Sequence, residues 1–270
     1  MRYYSRDGLT FDVDDSGPEG ADLVVLLHGW PQDRTAWDKV TPLLTTTGVR
    51  VIAPDLRGYS PGARPGNHLD YEITEMVADV VALLDEVGAE QAHIVGHDWG
   101  GALARAIAAR APERVATLTV LSTPSPSAMA KGVRSGDQLK HSWYMALFAL
   151  PVLPVLFFRL FAQQILEKIG MPRERAAHDA RRLKSPGAAE GTFARYRAAL
   201  SPTLIWRKRR AKGVPAAACT AGSSPPPSSG AARTRPLPRC RRTTRSSSCV
   251  GEPATGPSWR SPASCTPGTG

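Results

Sequence analysis

The chain has 270 residues, with 34 Lys+Arg against 24 Asp+Glu and a formal charge of +10. That length suits one large domain or two modest ones and can bury a substantial core. The charge invites a nucleic-acid or membrane partner, but residues 213–270 carry seven Arg and one Glu, and residues 206–212 carry five cations and no acid, which leaves a net −1 on residues 1–205 and removes that invitation for the body of the chain.

Residues 1–123 alternate strand and helix signals. Leu9–Val13 is a short strand after an Asp7-Gly8 turn. Leu23–Leu27 is a continuous apolar run of the kind a buried strand shows, and it ends at His28-Gly29. Arg50–Ala53 is the next strand, stopped by Pro54. Thr74–Val87 places Met76, Val77, Val80, Val81, Leu83 and Leu84 on a helical stripe, with Gly88 as the stop. Gln91–Gly96 holds a strand, Gly101–Arg110 an Ala-rich helix suited to close packing, and Val115–Leu121 one more strand. Such alternation implies an α/β fold with a mostly parallel sheet and helices on both faces. Residues 124–205 break it: they read as a helical cap inserted over the carboxyl edge of the sheet, where open α/β sheets bind ligands.

The segment that carries chemistry is Val95-Gly96-His97-Asp98-Trp99-Gly100-Gly101, which follows a strand and opens a helix. Small residues flank a polar one with a single residue between on each side, the pattern of a nucleophile elbow that lifts one side chain above the sheet. The apex residue is Asp98, and a carboxylate there can attack carbon by displacement to form an ester. The plain alternative is that Asp98 is a helix N-cap.

His28-Gly29-Trp30-Pro31, Asp55-Leu56-Arg57-Gly58-Tyr59-Ser60 and Gly96-His97-Asp98-Trp99-Gly100-Gly101 together resemble the α/β-hydrolase superfamily, in its epoxide hydrolase and haloalkane dehalogenase branch, over roughly residues 5–205. The resemblance implies that Asp98 is the nucleophile and that the backbone N–H groups of Trp30 and Trp99 form an oxyanion hole shaped by Pro31. It makes His28 and Asp55 structural loop residues and turns His97 into the scaffold. Epoxide hydrolases use two cap tyrosines to hydrogen-bond the ring oxygen as it leaves carbon. Tyr144, in His141-Ser142-Trp143-Tyr144-Met145, and Tyr196, in Ala194-Arg195-Tyr196-Arg197-Ala198, match their settings. Read without the resemblance, they are two amphipathic tyrosines at a cap interface. A haloalkane dehalogenase is the second reading, with Trp99 as a halide donor. The expected substrate is a small apolar epoxide or related molecule, since Phe148, Leu150, Phe157 and Phe158 lie in the cap, although each could equally be cap core.

Members of this branch activate water with a His near the C-terminus, oriented by an acid. Here no His follows His178, and Glu252 is the sole acid past residue 212. The expectation is a core truncated at its C-terminal strands and an impaired enzyme that lacks its base. Val214-Pro215 marks the departure, and a reading-frame shift there accounts for it: the codons of Pro253–Gly256, read from their third bases, permit Gly-His-Trp. Residues 206–270 are Ser-, Pro-, Gly- and Arg-rich, the composition of a disordered tail. The four Cys (Cys219, Cys240, Cys249, Cys265) match no ligand spacing and lack partner His, so neither metal nor cofactor is expected. No secretory signal opens the chain. The longest apolar run, Met145–Phe158, has 14 residues, short of the roughly 20 that span a bilayer. A cytoplasmic protein with neither membrane nor nucleic-acid partner is expected. A noncatalytic binding protein, using the cap pocket or the basic tail, is the reading from another class.

Overall fold

The computed structural model describes residues 1–125, 128 and 144–204, which fall in one compact unit, Met1–Ala217. The expected tail, and the stretch just before Tyr144, lie outside the described residues.

Six strands form one sheet: β1 (Tyr3–Arg6), β2 (Leu9–Ser16), β3 (Leu23–Leu27), β4 (Arg50–Pro54), β5 (Ala92–His97) and β6 (Val115–Leu121), in the order β1-β2-β4-β3-β5-β6. The β4, β3, β5 and β6 strands are parallel, and the β1 and β2 hairpin adds the antiparallel edge. The mostly parallel α/β sheet is the one expected. The N-terminal strand is an addition: Tyr3–Arg6 folds back on β2 across the Asp7-Gly8 turn, and the Tyr4 ring stacks on Phe11 at 4.7 Å.

The sheet is buried by its apolar alternation. Phe11, Val25, Leu27, Ile52 and Ile94 face α2 (Ile73–Glu86) and α3 (Trp99–Arg110), which return Met76, Leu83, Leu103 and Ile107. Val24, Leu26 and Val51 face the opposite layer, where a 3₁₀ turn (Arg34–Trp37) supplies Trp37 and the short α1 (Thr41–Thr45) supplies Leu44. The two helices expected here begin within two residues of their expected starts, α2 at Ile73 and α3 at Trp99, whereas the 3₁₀ turn and α1 were not expected. After β6, residues 144–148 are helical, followed by α4 (Leu153–Lys168), α5 (Arg173–Leu183) and α6 (Ala188–Leu200).

Buried charge fixes the loop after β4. Asp79 of α2 is 3% exposed and receives two bonds from the Arg57 guanidinium, at 2.8 and 2.6 Å, and one from Arg6 at 2.9 Å. A buried carboxylate survives because this fork satisfies it. It ties β1, the loop of Arg57 to Ser60, and α2 together.

Candidate functional site

The turn between β5 and α3 sets the site. Asp98 adopts φ 51° and ψ −117°, a positive φ that a residue with a side chain rarely takes. Its backbone is held from three sides: its N–H donates to the Leu121 carbonyl at 3.1 Å, and its carbonyl accepts from Ala102 N–H at 3.0 Å and the Thr123 hydroxyl at 2.7 Å. Close approach is why glycine flanks it. A Cβ on Gly96 would lie 2.2 Å from the Gly100 carbonyl oxygen, and one on Gly100 would lie 2.1 Å from that of Leu27. Although Asp98 stands at the N-cap position of α3, its carboxylate makes no capping bond. The N-cap alternative therefore fails.

The Asp98 carboxylate is bound instead by the strand-end loop after β3. Trp30 N–H donates to Oδ2 at 2.9 Å. Trp99, the other expected donor, is the first residue of α3, where helical geometry leaves amide hydrogens without an intrahelical acceptor. The Trp30-Pro31 peptide is cis.

Above the carboxylate is a cavity of about 460 Å³ lined by Asp98, Trp30, Tyr144 and Tyr196, with Phe148, Phe158 and other apolar residues of the helical segment as its remaining wall. Three of the expected site residues, Asp98, Tyr144 and Tyr196, are thus brought to one cavity. Trp99 backs Tyr196, ring to ring at 5.0 Å. Of the expected apolar cap residues, Phe148, Phe157 and Phe158 line the cavity, whereas Leu150 points to solvent at 44% exposure. The Trp30 indole, which sequence reasoning used only for its backbone, packs on Phe148 at 4.9 Å, and its Nε1–H is buried without an acceptor.

Burial sets the titration of this site. It raises the Tyr196 phenol far above its ordinary range, with the Asp98 charge adding to it and an indole hydrogen bond from Trp99 opposing. The Tyr144 phenol is raised by burial and by Asp98. Both stay protonated at neutral pH and serve as hydrogen-bond donors.

None of the histidines among the described residues lines this cavity. His28 is fully buried; its Nε2 accepts from Leu56 N–H at 3.0 Å and its Nδ1 bonds the Gly29 carbonyl at 3.0 Å. Burial lowers its pKa to about 3, so it is a neutral spacer between the two loops. Asp55 accepts from the Arg34 amide and guanidinium, each at 2.8 Å, the structural role expected of it. His97 lines a separate cavity with His28 and Trp37. His178 bonds Asp33 at 3.0 Å.

This last pair belongs to a cluster that sequence reasoning missed. Asp33, His178 and Asp179 bring potential ligand atoms within 4.8 Å of one another, a grouping that could hold a metal ion. Arg175 already lies 3.0 Å from Asp33 and 3.2 Å from Asp179, and Arg182 lies 3.8 Å from Asp33. Those guanidiniums supply the positive charge a cation would bring, so the cluster reads as an electrostatic tie between the 3₁₀ turn and α5. Burial opposes the charge on Asp33, but the Thr35 and His178 bonds and the two arginines hold its carboxyl low. Asp179, with Oδ1 buried and unpartnered, is raised by burial to about 6.

Comparison with known proteins agrees with this fold. The family model for the alpha/beta hydrolase fold matches residues 22–167. The AB hydrolase superfamily protein YfhM of Bacillus subtilis is 34% identical over 207 residues, covering 73% of this chain and 72% of that protein. Epoxide hydrolase A of Mycobacterium tuberculosis is 40% identical over 124 residues, and the match spans 38% of that protein's length. Among solved structures, epoxide hydrolase A from Mycobacterium thermoresistibile superposes with a TM-score of 0.64 at 26% identity, over 73% of each chain. No described helix is long and apolar enough to cross a membrane. The chain belongs to the α/β-hydrolase fold family, and epoxide hydrolases are prominent among the members it resembles.

Proposed function

We propose that the protein is an epoxide hydrolase-type enzyme of the cytoplasm, in which the helical segment 124–205 caps a core of residues 1–123 and Asp98 opens the substrate. The observation that carries this reading is that Asp98 and the phenols of Tyr144 and Tyr196 line one cavity whose other walls are apolar. An Asp98 oxygen attacks an epoxide carbon. The carbon–oxygen bond of the ring breaks, and the leaving oxygen takes a proton from a tyrosine, giving a hydroxyalkyl ester on the enzyme. The phenols suit this role because they remain protonated. The Trp30 and Trp99 amides then face the ester oxygen, where negative charge grows when water attacks the ester carbon. No cofactor is required by this sequence of steps.

The second half-reaction needs a base. Among the described residues no His lines the Asp98 cavity, and residues 205–270 contain none. Hydrolysis of the ester by this chain is therefore slow, and the alkyl-enzyme accumulates. A chain truncated at the core's C-terminal strands, by a shift of frame after Val214, accounts for that loss.

Dehalogenation is the second reading, and one observation favours it: the buried, unpartnered Trp30 Nε1–H could hold a halide leaving a carbon under attack by Asp98. Incubation with styrene oxide and, separately, with 1-bromobutane decides between them. The epoxide reading expects enzyme modification by styrene oxide with a phenol-dependent rate. Stoichiometric bromide release without reaction of the epoxide would overturn it.

A further inference from the structure

The segment Gly29-Trp30-Pro31 carries the amide that binds Asp98, yet its own backbone is poorly tied. Among the described residues, Gly29, Trp30 and Pro31 make no backbone–backbone hydrogen bond. Side chains hold the segment instead. His28 Nδ1 bonds the Gly29 carbonyl at 3.0 Å, the Asp98 carboxylate accepts from Trp30 N–H at 2.9 Å, and Arg182 of α5 donates from Nη2 to the Pro31 carbonyl at 2.5 Å. The fit has little slack: a Cβ on Gly29 would lie 2.6 Å from Asp98 Cβ. His28 belongs to the loop and Asp98 is its target. Arg182 is the hold that reaches in from the helical segment, 151 residues away in sequence.

The surroundings of Arg182 suit that reach. Its side chain is 12% exposed, with Nε 3.8 Å from Asp33 Oδ2. Its guanidinium carbon lies 4.5 Å from the centre of the Tyr59 ring. Neither contact is a hydrogen bond, and Nε and Nη1 are buried without an acceptor. Among the described residues, the bond to Pro31 is therefore the only hydrogen bond this guanidinium makes. A cationic donor on a carbonyl is roughly twice as strong as a neutral one. Pro31 has no N–H, so its carbonyl is its one backbone group that can be anchored. Arg175 braces α5 on the same loop, donating to the Thr35 hydroxyl at 2.6 Å and to Asp33 at 3.0 Å. The Trp30 ring is packed separately, on Phe148 and Phe158, which fixes the side chain and leaves the amide to the peptide units beside it.

We infer that Arg182 is a positioning residue: by holding the Pro31 carbonyl it aims the Trp30 N–H at the Asp98 side chain, so that the seating of α5 completes the donor. The placement stands on this geometry. Its chemical consequence rests on the reaction proposed for Asp98, and there its sign differs between the two steps. The carboxylate gives up negative charge as it attacks an epoxide, so a donor aimed at it does not speed that step. The ester oxygen gains charge when a nucleophile adds to the ester carbon, and the donor then lowers the barrier.

Hydrogen exchange of the Trp30 amide, followed by NMR in Arg182→Met and Arg182→Lys, reads the placement. Exchange in Arg182→Met is expected to be at least about tenfold faster than in the unaltered chain, with the amides of β3 unchanged. Arg182→Lys keeps a cationic donor and should recover part of the protection. Unchanged exchange at Trp30, or the same acceleration throughout β3, overturns the inference. Should Arg182→Met lose its circular dichroism spectrum, Arg182→Gln carries the same comparison. The ester left by styrene oxide reads the consequence. Hydroxylamine adds through nitrogen to the ester carbon; the acyl carbon–oxygen bond breaks, the diol leaves with a proton from that nitrogen, and Asp98 is left as a hydroxamate. Arg182→Met is expected to slow this cleavage by at least about tenfold and to leave ester formation within about threefold. Equal slowing of both steps is what a merely structural role would give, and it overturns the inference. An unaltered chain that forms no ester at Asp98 counts against the proposed reaction, and exchange at Trp30 then decides the placement.

Discussion

The middle of the sheet and its β6 edge are built from similar residues but meet different surroundings. Every residue of β3 is buried, and Leu26 and Leu27 have no exposed surface. On β6, residues Ala116 to Thr119 are all exposed, with Leu118 at 38% and Leu121 at 43%. Yet β6 pairs with β5 in parallel register, from Ala92 opposite Val115 to His97 opposite Leu121. Regular pairing on one side is thus enough to form the strand, while burial needs layers on both faces and a neighbour on the free edge. The turn at Asp98 lies at this divide. It hangs from β5 and rests on the Leu27 side, which is packed, but its backbone also bonds Leu121 and Thr123 at the exposed end. In the reaction proposed above, the first step relies on groups from the packed half and the helical segment, and the second, for which no base is proposed, falls to the exposed half.

Substitutions should respect that contrast. The largest effect falls on Asp98, the proposed nucleophile: Asp98→Asn is expected to lower the rate of modification by an epoxide by at least about a thousandfold, measured by intact mass against time. Next is the buried fork. Asp79→Ala leaves Arg57, 5% exposed, without its carboxylate, and should cost about 3–5 kcal/mol in denaturant unfolding. A loss no larger than that of a surface change would show that the loop after β4 is held by other means. The comparison itself is tested by a matched pair: Leu26→Ala should cost about 2–5 kcal/mol, and Leu118→Ala should stay within about 0.5 kcal/mol. Equal losses would mean that β6 is buried in solution.

A smaller effect concerns the charge cluster at α5. Burial raises Asp179 to about 6, above its unfolded value near 4. A group raised on folding favours the folded state below its unfolded pKa, and that contribution is lost as pH rises through the folded value. Asp179→Asn should therefore stabilise the protein at pH 7, by about 1–3 kcal/mol at most, and flatten the dependence of Tm on pH between about 4 and 6. A variant with unchanged pH dependence would place the titration on another group; Asp55, also raised to about 6 by burial, is the candidate.

Local pattern made much of this legible in the sequence. The apolar run Leu23–Leu27, the stripe from Met76 to Leu84 and the glycines around Asp98 each describe a near neighbourhood, and the elements formed there within a residue or two. The turn at Asp98 could be read because its sterics are local: Gly96 meets Gly100 four residues away. What was missed is long-range. Asp33 and His178 are 145 residues apart, and Arg57 and Asp79 are 22 apart, so no spacing rule brings either pair together. The indole of Trp30 was missed for a different reason. The motif identified its amide, and only the packing of Phe148 and Phe158 shows that its ring enters the cavity. The strand Tyr3–Arg6 was within reach, because Asp7-Gly8 is a hairpin signal and Tyr-Tyr precedes it.

The central claim is that Asp98 is the nucleophile and forms an ester that this chain releases slowly. Peptide mapping by mass spectrometry after exposure to styrene oxide tests it directly. The account predicts a single adduct on the peptide containing Asp98, formed faster than diol appears, absent in Asp98→Asn and diminished when Tyr144 and Tyr196 are both Phe. Steady diol formation with no adduct, or an adduct on another residue, would contradict it.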